Sequence, residues 1–182
     1  MNFEEKVLEN QPIFSGRLID VEVQTVLTPA GNQATREVVH HAPAVAILAI
    51  TNDGKILLEK QWRAPIKEVT LEIPAGKVDD RDKEDLLAAA KRELNEETGL
   101  EARTFEKINA TASSVGFSDE IITLFIARGL TPVKHALPKD QDEEISLEEV
   151  SLKEALEMIN SGQIIDMKTA MAIYYWASQQ GV

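Results

Sequence analysis

The chain has 182 residues, 43% of them hydrophobic, which suits one domain with a proper core and a small appended sheet. Acidic residues outnumber basic ones 31 to 19, for a formal net charge of -12. No Lys/Arg-rich block interrupts that excess, which argues against nucleic acid or an anionic membrane as partner. A small phosphate ester stays open, because metal ions can bring positive charge to an acidic pocket. The chain has no cysteine, and its start, Met1-Asn2-Phe3-Glu4-Glu5, lacks the basic end and apolar middle of a signal peptide, so the cytoplasm is expected. The most apolar run, Ala42 to Ile50, is far short of the ~20 residues a membrane helix needs.

In chain order, a strand is expected around Phe14 to Ile19. Alternation then puts Val21, Val23, Thr25 and Leu27 on one face of a strand, Pro29-Ala30-Gly31-Asn32 forms a turn, and Arg36 to His41 returns as a hairpin. The adjacent His40 and His41 read as alternating strand residues rather than metal ligands. Ala42 to Ile50 is a buried strand, Asn52-Asp53-Gly54 a tight turn, and Lys55 to Gln61 the partner strand. Ile73-Pro74-Ala75-Gly76 is a strand end breaking into a loop, where glycine allows close approach of the backbone to a ligand.

A helix follows, with Leu86, Ala90 and Leu94 as an apolar stripe, Asp82 placed to cap its start and Gly99 to end it. On that helix Glu93 and Glu97 share a face with Glu96 beside them. Like charges at this spacing cost roughly 0.2–0.5 kcal/mol per pair. A solvated acidic face and a hard divalent cation site both account for them. Phe105 to Ala112 and Ile121 to Ala127 are strands flanking Ser113 to Glu120. An acidic stretch, Asp140 to Glu144, precedes a short strand near Ile145 to Val150. Ser151-Leu152-Lys153-Glu154 has the form of a capping box opening a helix that ends near Gly162. A last helix from about Asp166 is expected to carry Ala170, Ile173, Tyr174 and Ala177 inward. Met167, Met171, Tyr175 and Trp176 read as core or subunit contact.

Gly76, Glu84 and the run Arg92-Glu93-Leu94-Asn95-Glu96-Glu97-Thr98-Gly99-Leu100 resemble the Nudix box, the loop and helix by which Nudix hydrolases bind magnesium and cleave nucleoside diphosphates linked to another moiety. Seven residues separate Gly76 from Glu84, a longer loop than is usual in the family. Gln61 to Pro65, Leu71 to Gly76, Gly116 to Glu120 and the C-terminal helical pair further resemble the ADP-ribose pyrophosphatase branch, with Val115 where the branch usually has proline. The resemblance implies an α/β (α+β) fold: a Nudix-type α/β/α sandwich with a mixed sheet over residues 42–182, plus an N-terminal antiparallel β-sheet over residues 1–41.

It also implies Mg2+, or Mn2+, held by Glu93, Glu97 and the backbone carbonyl of Ala75, with Glu96 joining for a further ion and Arg92 orienting Glu96. Arg63, Glu72 and Arg36 are the implied substrate-binding residues; Glu72 is equally readable as an exposed strand residue. The branch draws its general base from an acidic loop before the last strand, which points to Glu143, with Glu144 and Glu120 as alternatives; Gln141, one counting away, cannot be a base. The implied activity is hydrolysis of ADP-ribose to AMP and ribose 5-phosphate by a homodimer. Another nucleoside diphosphate compound, a nucleotide sugar or dinucleotide, is the alternative substrate, and a non-catalytic nucleotide sensor the alternative class.

Overall fold

A computed structural model describes residues 2–82, 85–138 and 144–182. Two compact units divide the chain, residues 1–43 with Thr111–Ile122, and Ala44–Ala110 with Thr123–Val182. No helix among the described residues is long and apolar enough to cross a membrane.

The first unit contains an antiparallel sheet in the order β1 (Lys6–Ser15), β2 (Ile19–Leu27), β3 (Gln33–His41). The first strand lies earlier than Phe14 to Ile19, and Gly16 to Leu18 form the turn into β2, closed by Gly16 N–H to Ile19 O. Glu9, Asn10, Gln11 and Pro12 are weak strand formers, tolerated because β1 is an edge strand with register shifts at Val7/Glu9 and Pro12/Phe14. Within β2, Val21, Val23, Thr25 and Leu27 are half-buried on their shared face, and Val26, of opposite parity, is the one fully buried residue. The loop at residues 114–119 is laced to β3, with Phe117 O accepting from Val39 N–H at 2.7 Å and Asp119 N–H donating to Val39 O at 3.2 Å. His40 Nδ1 lies 2.6 Å from Asp119 Oδ2 and its Nε2 3.3 Å from Glu22 Oε1.

The second unit is built on a mixed sheet in the order β10 (Ser146–Val150), β5 (Ile56–Arg63), β4 (Ala44–Ile50), β9 (Ile121–Pro132), β8 (Leu100–Ala112). β6 (Glu68–Glu72) pairs with β5, and β7 (Ala75–Lys77) with β4. Every residue of β4 is buried, the signature of a central strand covered on both faces. Val45, Ile47 and Ala49 pack with Ala89, Ala90 and Leu94 of α1 (Leu86–Thr98). The opposite parity of β4 faces the other side, where α3 (Met167–Gln180) packs on it beside α2 (Leu152–Asn160). This is the expected α/β/α sandwich.

Two helix expectations change. The cap of α1 is Asp85, whose Oδ1 accepts from Leu87 N–H at 2.9 Å and Ala88 N–H at 3.2 Å. Asp82 instead lies in a 3-10 turn (Asp80–Asp82), its carboxylate taken by Arg92. In α3 the buried residues are Thr169, Ala172, Ile173 and Ala177; Ala170 is half-buried and Tyr174 is 51% exposed. Helical pitch places Thr169, Ala172, Ile173 and Ala177 on one face, and Thr169 anchors it. Met167 is exposed, while Met171, Tyr175 and Trp176 are half-buried, Trp176 lying 5.1 Å beneath the Arg128 guanidinium. The capping box at Ser151 and Glu154 and the left-handed Gly99, φ 69°, stand as expected.

Thr169 Oγ1 accepts from Ile73 N–H at 2.9 Å and donates to Asp166 Oδ2. Thr169→Val keeps the volume and strands a buried N–H, so urea unfolding should show a loss of about 1–3 kcal/mol, most of it restored by Thr169→Ser.

Candidate active site

The acidic edge of α1 forms the centre of the site. Glu93, Glu96 and Glu97 are all buried, so these are not solvated surface charges, and burial of carboxylates demands compensation. Arg92 supplies it. Its Nε and Nη2 donate to Asp82 Oδ1 and Oδ2 at 2.9 and 2.7 Å, and its Nη1 to Glu93 Oε1 and Glu96 Oε2, both at 2.7 Å. Nη2 also reaches Lys77 O at 3.2 Å. The hydrogen bond to Asp82 and the charges of Glu93 and Glu96 raise the Arg92 pKa despite burial, and Arg92 in turn lowers that of Asp82. Arg81, on the 3-10 turn, donates from Nη1 to the other oxygen of Glu96 at 2.9 Å.

The loop before the helix meets these carboxylates through its backbone. Pro74 O accepts from Ile47 N–H at 2.8 Å, which fixes the loop to β4, and Ala75 N–H donates to Glu97 Oε2 at 3.0 Å. The Glu93 carboxylate lies against Gly76, where a Cβ would sit 2.2 Å from Glu93 Cδ. Glycine is required there because the carboxylate fills the space. Ala75, Glu93, Glu96 and Glu97 are thus brought to one place, with oxygen donors that fit a hard divalent cation. Among the described residues no group of three acidic or histidine side chains is already arranged as a metal site. The chain's own donors occupy these carboxylates instead: Arg92 and Arg81 hold Glu96, Arg92 also holds Glu93, and Ala75 N–H holds Glu97.

Three residues before Ala75, Glu72 is buried at 3% exposure, which corrects the reading as an exposed strand residue. Arg63 grips it through Nε and Nη2 at 2.6 and 2.7 Å, Thr70 Oγ1 donates at 2.6 Å, and Lys168 Nζ donates a further short bond. Burial alone would raise the Glu72 pKa; the Arg63 hydrogen bonds, the Lys168 charge and hydrogen bond, and Thr70 outweigh it and lower the value to about 2. The structure therefore brings Arg63 and Glu72 together as an ion pair. Lys168, which also reaches Asp166 at 3.1 Å, and Arg81 were not singled out from sequence, and Asp82 was read there as a helix cap rather than as a partner of Arg92. Sequence carried no signal for the pairing of Lys168 with a residue 96 positions away.

Arg36 belongs to the first unit, where Glu5 takes its guanidinium, with Nε donating to Oε2 at 3.0 Å. Glu120 is also there, 3.2 Å from His41 Nδ1. Glu144 is exposed ahead of β10. Glu84, Gln141 and Glu143 lie outside the described residues.

Comparison with known proteins identifies the family. The NUDIX domain family model matches residues 40–167. The chain is 43% identical over 180 residues to the methanol dehydrogenase activator of Bacillus methanolicus, covering 99% of this chain and 96% of that one. It is 42% identical over 174 residues to the ADP-ribose pyrophosphatase of Bacillus subtilis strain 168, covering 96% and 93%. A crystal structure of an ADP compounds hydrolase superposes with a TM-score of 0.86 over 100% of this chain and 98% of that one, at 20% identity, a likeness of fold.

Two outcomes are expected. Gly76→Ala should push the Glu93 carboxylate aside and lower kcat at least about tenfold, with Tm falling by only a few degrees because a flexible side chain absorbs the clash. Glu72, ordinarily at 4.5 and held near 2, has its folded-state pKa depressed. Its stabilisation is complete above pH 4.5 and is lost as pH falls towards 2. It amounts to about 3 kcal/mol. Denaturation of wild type and Glu72→Gln across pH 2 to 6 checks this: the variant should lack that part of the pH dependence.

Proposed function

Because the chain belongs to the Nudix family, we propose that this pyrophosphohydrolase splits ADP-ribose into AMP and ribose 5-phosphate. The observation that carries the reading is the complete carboxylate edge of α1, with Glu93, Glu96 and Glu97 buried beside the Ala75-Gly76 backbone. The B. subtilis pyrophosphatase, 42% identical over 93% of its own length, supports the choice of substrate, as does a Mycobacterium tuberculosis protein of the same name at 30% over 77%.

Nudix hydrolases generally use a divalent metal. We take it here as Mg2+, with Mn2+ a substitute, held by Glu93, Glu97 and the Ala75 carbonyl, Glu96 joining when more than one ion binds. When bound, such an ion neutralises pyrophosphate charge and lowers the pKa of water. Arg92 sets the rotamers of Glu93 and Glu96. Arg63 presents a planar fork suited to a phosphate or to stacking on a base, and Glu72 fixes its direction. A carboxylate must complete deprotonation of the attacking water; Glu143 is our assignment, with Glu144 and Glu120 as alternatives. We place the enzyme in the cytoplasm as a homodimer, the N-terminal sheet of residues 1–41 contributing Arg36 to substrate binding.

A second reading is favoured by the 43% identity to a protein named as an activator of methanol dehydrogenase. On that reading a dehydrogenase is the partner, beside or in place of free ADP-ribose. Product analysis over ADP-ribose, nucleotide sugars and dinucleotides with Mg2+, with and without methanol dehydrogenase, separates the two. AMP and ribose 5-phosphate formed fastest from ADP-ribose alone is the expected result; turnover only with the dehydrogenase supports the second reading, and preference for another compound changes the substrate. In the same assay Glu93→Gln and Glu97→Gln should each lower kcat by about a hundredfold or more with unchanged circular dichroism. Full activity in both would remove the metal assignment.

A further inference from the structure

The loop between Gly76 and α1 does more than connect. Its Arg81 forms a short chain of charge: Nε and Nη2 donate to Asp79 Oδ2 at 2.8 and 2.6 Å, and Nη1 donates to Glu96 Oε1 at 2.9 Å. Arg92 holds the remaining oxygen of Glu96 at 2.7 Å. One carboxylate is thus shared by two guanidinium groups, and they differ in how firmly they are seated.

Arg92 is 11% exposed and is bound by Asp82, Glu93 and the Lys77 carbonyl as well as Glu96, so it cannot leave without stranding two other carboxylates. Arg81 is 58% exposed and touches Glu96 through one nitrogen. A partly exposed pair of this kind exchanges with water at small cost, whereas a buried network does not. Glu96 therefore has one permanent cation and one replaceable cation, and the replaceable one covers the oxygen that Arg92 leaves.

We propose that Arg81 is an exchangeable counter-ion of Glu96, a positioning residue that holds the carboxylate in place until a divalent cation displaces it and so sets the cation concentration the site requires. The inference rests on the reading above that Glu96 takes part in metal binding. Asp79 gives the displaced arginine a place to stay, since its bonds to Arg81 do not involve Glu96. The competition is electrostatic and geometric together: a guanidinium on Oε1 both repels an incoming cation and occupies its ligand.

The test is Mn2+ binding to the intact protein without nucleotide, followed by electron paramagnetic resonance of the free ion. Arg81→Gln should tighten binding about threefold to tenfold. Arg81→Lys should tighten it nearly as much, because a point charge cannot span Asp79 and Glu96 as the fork does. In a Glu96→Gln background, Arg81→Gln should change nothing. If Arg81→Lys binds like wild type while Arg81→Gln binds tighter, net charge alone is at work and the proposal is overturned. The same holds if the Arg81→Gln effect persists without Glu96. If Glu96→Gln by itself leaves Mn2+ affinity unchanged, the assignment of Glu96 to the metal fails instead.

Discussion

A single guanidinium makes the acidic edge of α1 possible. Asp82, Glu93 and Glu96 all bind Arg92, and without a cation of that shape the helix would bury like charges side by side. Two like charges about 4 Å apart repel by about 4 kcal/mol at the effective dielectric of a protein near its surface, far more than on an isolated solvated helix. A lysine could not replace Arg92, because its point charge cannot address Asp82 in bidentate fashion and two glutamates at once. The turn at Asp80–Asp82 gives up capping the helix so that Asp82 can complete this arrangement, and Asp85 caps in its place. The acidic cluster and the helix cap are thereby supplied by different residues.

The loop that faces those carboxylates is held from behind by two consecutive side chains. Lys168 meets Glu72 and Thr169 meets the Ile73 N–H, so the first turn of α3 is stitched to the last residues before Pro74. Ile47 then takes the Pro74 carbonyl. Each bond lies within three residues of Ala75, and none uses an oxygen of the carboxylate edge. The supports of the backbone presented to the site thus come from α3 and β4 rather than from the acidic edge itself.

Much of this was legible in the sequence wherever periodicity and local chemistry decide the outcome. The apolar stripe of α1, the left-handed end at Gly99, the capping box at Ser151 and the buried run of β4 are local, and each stands where it was expected. The acidic edge was legible as a pattern, though its burial was not, since burial depends on Arg92 finding Asp82 ten positions upstream. Glu72 was readable as exposed because alternation does not reveal a lysine arriving from a distant helix. On α3, Ile173 and Ala177 stand inward as expected, while Thr169 and Ala172 take the places expected of Ala170 and Tyr174, because a polar Thr169 gives no sign in sequence of its bond to the Ile73 N–H. In the N-terminal sheet, alternation showed β2 without showing which of its faces holds the fully buried Val26, and polar residues with Pro12 concealed β1.

The interruptions in β1 limit what can assemble along its outer edge. Its outer edge is ten residues long and every side chain on it is exposed, which in a regular strand would invite extension by a foreign chain. Two register shifts break the ladder, and Pro12 lacks an N–H to offer. A visiting strand would find alignment over only a few residues before the spacing failed. That edge is thereby closed to indefinite growth, and association along β1 depends more on its side chains than on its backbone.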